Sequence, residues 1–145
     1  MRKRSSYRQK YPAIGGMFLI KNLQPLPTEQ FLMVSNEGRI AYQKLVSGTA
    51  DPEDIASMWS LSNVVAFRSE SIGGPTLEVA NKAIAAAERA DKRYEQTGLV
   101  GLDGPAIQEL KDAIDLFDSY LELSDLGALK DALIKTSIKR VSLYA

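Results

Sequence analysis

From residue 51 onward, apolar positions recur with a period near 3.6 residues, the spacing that lays one stripe of a helix against a core. Asp51, Pro52, Glu53 and Asp54 read as an N-cap, a first-turn proline and two acids set against the helix dipole. Ile55, Met58, Trp59, Ser62, Val65 and Ala66 form the predicted inward face of that helix, and Gly73-Gly74 its expected end. Pro75 restarts the chain. Residues 76–97 are rich in strong helix formers, with Leu77, Ala80, Ala83, Ile84, Ala87 and Tyr94 on the predicted buried side and Gly98 as C-cap. Small alanines permit close helix approach, which predicts that this helix is central. Asp103 or Gly104 caps the next helix, over residues 105–123, whose Ile107, Leu110, Ile114, Phe117 and Leu121 recur at helical spacing. Ser124 and Asp125 start the last helix, with Leu126, Leu129, Leu133, Ile134 and Ile138 inward and Lys135, Lys139 and Arg140 complementing its C-terminal dipole.

Before residue 51 the pattern is less regular. Asn36 is the predicted cap of a short helix over residues 37–47, with Ile40, Ala41 and Leu45 as its stripe. Two four-residue apolar runs, 17–20 and 31–34, flank a turn at Pro25 and Pro27 and read as either a small hairpin or extended lids over helices. Short connections make neighbouring helices antiparallel. The expected fold is therefore mainly α: an antiparallel bundle of four to five helices over residues 14–145, with an extended basic arm at 1–13 and a short β-hairpin as an open alternative.

Composition narrows the chemistry. The 145 residues contain neither Cys nor His, which removes disulfides, thiolate metal sites, cysteine nucleophiles and the commonest general base. A cytosolic location follows as the expectation. The longest uncharged run, Ile55 to Phe67, has 13 residues against the ~20 of a spanning helix, so no membrane association is expected. The basic start followed by YPAIGGMFLI lacks the small-residue cleavage pattern of a signal peptide and is interrupted by a proline and two glycines.

Net charge is zero, yet it is distributed unevenly. Arg2, Lys3, Arg4, Arg8 and Lys10 lie in the first ten residues without an acid, leaving residues 11–145 with 13 basic and 18 acidic side chains, a net of −5. A cationic arm leads an acidic body. The arm can neutralise phosphates of DNA or RNA, with Tyr7 and Tyr11 stacking on bases, or it can dock on an acidic protein surface; its bland alternative is a solubilising tail. The second candidate is the face formed by Glu109, Asp112, Asp115, Asp118 and Glu122, opposed only by Lys111. Its spacing matches no calcium loop, and a solvated face or a contact with a basic partner, including the arm of a second copy in a homo-oligomer, fits better than a metal site. Lys82, Arg89, Lys92 and Arg93 are interleaved with acids and read as intrahelical pairs, notably Glu78–Lys82 and Glu88–Lys92. Trp59 and Met58 read as core, and neither glycine pair forms a phosphate loop. No catalytic, cofactor-binding or metal residues are assigned.

Several segments resemble a group of small helical proteins encoded by bacteriophages and prophages. The resemblance rests on the MRKRS-x-Y-R-x-K start, LMVSNEGRI, SGTADPEDI, LSNVVAF, and the stretch from Gln96-Thr97-Gly98 through GPAIQEL to LFDSYLE. It carries no catalytic motif, so no functional residue transfers with it. It implies a mobile-element origin and a non-enzymatic protein that binds and modulates a bacterial host protein in the host cytoplasm, as an inhibitor of defence for example. A nucleic-acid-binding accessory protein using the arm, and a virion or assembly component, are the alternatives.

Overall fold

A computed structural model of the protein describes residues 28–122 and 126–142. Five helices make up the described fold: α1 (Thr28–Ser47), α2 (Pro52–Ser69), α3 (Gly74–Thr97), α4 (Gly104–Glu122) and α5 (Leu126–Ser142). The expected helical bundle is what forms, without a strand among the described residues. The arm at 1–13, the run at 17–20 and the caps proposed at 124 and 125 lie outside them.

The capping residues of α2 act as their types require. The Asp51 carboxylate accepts from Glu53 N–H at 2.9 Å, and the Asp54 carboxylate accepts from Asp51 N–H at 2.9 Å, closing a reciprocal capping box. At the far end α2 stops at Ser69, before the expected Gly73-Gly74. The glycine pair instead builds the turn into α3: both residues have positive φ, 71° and 60°, where a Cβ is strained, and Gly73 N–H returns to the Ser69 carbonyl at 2.7 Å. Gly98 ends α3 with φ 75° and donates to the Tyr94 carbonyl, the expected left-handed cap.

Helix α1 differs most from the sequence expectation. It begins at Thr28, so the 31–34 run is helical and Asn36 lies inside the helix. The inward stripe explains why: Ser35, Gly38, Ala41 and Leu45 are buried, and three of the four are small or polar residues that hydrophobic counting overlooks. Ile40, placed on the stripe by sequence, is 57% exposed. Gly38 lets α1 approach α2 closely, since a Cβ there would fall 2.5 Å from Leu61 Cδ1.

Helix α2, not the alanine-rich α3, is central, because it packs against each of the other four. Its burial runs around the cylinder, through Ile55, Met58, Leu61, Val64 and Val65, as expected for a helix covered on several sides. That is the structural meaning of the 13-residue uncharged run. The alanines at 80, 83, 86, 87 and 90 bury the near face of α3 against α2 and α4. Phe117, fully buried, and Leu110 anchor α4, while Ile107 is left partly exposed. Helix α5 packs chiefly on α2 through Leu129, Ala132 and Leu133; Ile138, expected inward, is 64% exposed. No described helix is long and apolar enough to cross a membrane.

Candidate functional site

The outer face of α4 is built by its cap and its core stripe. Asp103 Oδ1 accepts from Ala106 N–H at 2.9 Å, and burial of Ala106, Leu110, Ala113, Ile114, Phe117 and Tyr120 turns the intervening polar positions outward. Five carboxylates lie along that helix, yet they divide into two kinds.

Glu109 and Asp118 are engaged by neighbouring helices. Arg89 of α3 forks between α4 and its cap: Nε donates to Asp103 Oδ2 at 2.8 Å, and Nη2 reaches Glu109 Oε1 at 2.9 Å. These hydrogen bonds hold the Asp103 carboxyl below its ordinary value, helped by Ala106 N–H, and raise the Arg89 guanidinium further. Sequence neighbours predict an intrahelical partner for Arg89, and it crosses helices instead; Lys82 does pair with Glu78 within α3, at 3.3 Å. Asp118 accepts from Ser35 Oγ at 2.8 Å and forms an ion pair with Arg39, so it ties α1 to α4. Tyr42 completes that seam by donating to the Ile107 carbonyl at 2.9 Å, and its partial burial raises its phenol above the usual value.

Asp112, Asp115 and Glu122 are not held by another helix among the described contacts. Asp112 accepts from the Gln108 amide at 2.7 Å, Asp115 pairs with Lys111 at 3.2 Å, and Glu122 is exposed. Asp112 and Asp115 line a groove of about 300 Å³ between the start of α3 and α4, together with Pro75, Val79 and Leu116. Over residues 34–122 there are 8 basic and 15 acidic side chains, a net of −7, whereas 126–142 carry four cations and one acid, a net of +3. The acidic α4 face and the basic α5 are thus separate surfaces.

On α5, Lys139 Nζ donates to Asn63 Oδ1 at 2.6 Å and lies 5.5 Å from the Trp59 ring centre and 5.9 Å from that of Phe67. Arg140 Nη1 donates to Ser60 Oγ at 2.6 Å. These cations, assigned by sequence to dipole compensation, dock α5 onto α2. The available signal was the four-residue spacing of Trp59, Asn63 and Phe67, which places an aromatic–amide–aromatic column on one side of α2. Trp59, read as core, is only half-buried beneath Lys139.

Arg2, Lys3, Arg4, Tyr7, Arg8, Lys10 and Tyr11 lie outside the described residues. Among the described residues, no group of three or more acidic side chains converges as a metal site would require. No family model, curated protein or solved structure matches the chain.

Proposed function

We propose that this chain is a non-enzymatic interaction protein that binds and modulates a bacterial host protein, presenting the outer face of α4 to a basic surface on it. The observation that carries this reading is the division of the α4 carboxylates. Two are consumed in holding α1 and α3, while Asp112, Asp115 and Glu122 are not tied to another helix among the described contacts, on a body with net charge −7 over residues 34–122. Such a surface accelerates encounter with a cationic partner and selects against acidic ones. The sequence resemblance to small phage and prophage proteins provides the biological setting.

The test is affinity capture from nuclease-treated bacterial lysate, using the full chain and an Asp115→Lys/Glu122→Lys variant. A specific protein retained at low salt, and lost on charge reversal or at high salt, is the expected result. Retention indifferent to both changes, or no specific partner at all, refutes the proposal.

A further inference from the structure

We infer that the groove between α3 and α4 is a docking site for the chain's own cationic segment, residues 2–11. Two properties set this groove apart. Its lining combines apolar Pro75, Val79 and Leu116 with the carboxylates of Asp112 and Asp115. Among the described residues no cation comes within ion-pair distance of Asp112, and the one paired with Asp115 is the exposed Lys111, a contact of the weak surface kind. The groove therefore offers an apolar surface beside incompletely compensated negative charge.

The segment supplies the complementary chemistry. It contains five cations, no acid, and Tyr7 and Tyr11. A volume of about 300 Å³ lies at the lower end of small-ligand clefts, enough for one aromatic side chain with charged neighbours beside it. Another described groove, of about 410 Å³, is lined by Arg68 and Lys135 balanced by Glu70 and Asp131, so it presents no net charge to attract the segment. Charge distinguishes the two.

Reach is sufficient. Ser35 touches Asp118, so the beginning of α1 lies beside the C-terminal half of α4; Thr28 is seven residues earlier, about 10 Å of helix. Allowing for the thickness of α4, the groove is on the order of 20 Å from Thr28. Residues 12–27 separate the segment from α1 and span about 55 Å when fully extended. Covalent connection raises the segment's concentration at the groove above that of a free peptide, so a contact too weak to hold a free peptide is still populated within one chain. A basic partner of the α4 face then competes with the chain's own arm.

The experiment exploits the absence of cysteine. Ser6→Cys in the full chain carries a nitroxide, and NMR reads which amides it relaxes without any partner present, so the outcome is independent of host-protein capture. The expected result is loss of most amide intensity at Thr76, Val79, Leu116 and Ser119. That loss should be reversed by Asp112→Asn/Asp115→Asn, and by raising salt from about 0.1 M to 1 M, which shortens the screening length from about 10 to 3 Å. Arg4→Gln/Arg8→Gln, which alters no described residue, should restore the same signals. Sharp amides around the groove, or relaxation that persists in both variants, overturns the inference. Relaxation in a mixture of isotope-labelled unmodified chain and unlabelled spin-labelled chain assigns the occupant to a second copy and overturns it as well.

Discussion

Replacing Asp118 with alanine should destabilise the fold, although its sequence pattern places it on a solvated face. The substitution removes the acceptor of the Ser35 hydroxyl and the ion partner of Arg39. Ser35 is 4% exposed, so its hydroxyl loses a charged acceptor where water does not readily replace it. Hydrogen bonds to charged groups contribute about 1.5–3 kcal/mol. Arg39 is 47% exposed, so screening limits its share to at most about 1 kcal/mol. The combined loss is about 2–3 kcal/mol, and at roughly 2–4 °C per kcal/mol for a chain of this size Tm falls by about 5–10 °C. Asp118→Asn keeps an oxygen for Ser35 and should lose about half as much. Urea unfolding followed by circular dichroism, with Ser35→Ala completing a double-mutant cycle, isolates the pair; coupling of about 1 kcal/mol or more is expected, and it should survive high salt. A loss within the ~0.5 kcal/mol of ordinary surface substitutions, or zero coupling with Ser35, refutes the assignment of Asp118 to the α1–α4 seam.

Two further outcomes follow from the same contacts. The lowered Asp103 carboxyl contributes stability that is present above its unfolded value, 3.8, and disappears as pH falls through the lower folded value. Asp103→Asn, which keeps a capping oxygen, should cost about 0.5–1 kcal/mol at neutral pH after discounting for exposure, with the gap narrowing as pH falls below 3.8; a gap that stays constant however far the pH is lowered contradicts this. Lys139→Met retains the aliphatic contact with Trp59 but leaves the buried Asn63 Oδ1 without that donor, at a cost of about 1–3 kcal/mol. Hydrogen exchange should quicken in 126–142 while α3 stays protected; equal protection in variant and parent would show that packing alone holds α5.

Local chemistry made much of the fold legible. The residues from Asp51 to Asp54 satisfy the α2 terminus among themselves, and Gly98 needs only its own left-handed backbone, so both were readable from neighbours in sequence. The start of α1 was not. Asn36 has the side chain of a cap, but Ser35, Gly38 and Ala41 pack so closely on the bundle that tertiary contact overrides that preference. The candidate face was legible only as a row of acids. Nothing in the helical period separates Asp118, which reaches Ser35 and Arg39 of α1, from Asp115, which pairs with Lys111 one turn away. Arg89 likewise had acids close by in sequence and chose Asp103 and Glu109 across space.

The centrality of α2 has an evolutionary consequence. The residues that hold the bundle together are concentrated in a segment that is buried on several sides, while the remaining carboxylates of α4 and the cations of the first ten residues lie elsewhere in the chain. Charges at positions such as 112, 115 and 122 can be exchanged, reversed or lost without disturbing the contacts of Met58, Leu61 or Val65. The charge of the α4 face can therefore drift independently of the fold, because the substitutions that alter it are not the ones that unfold the bundle.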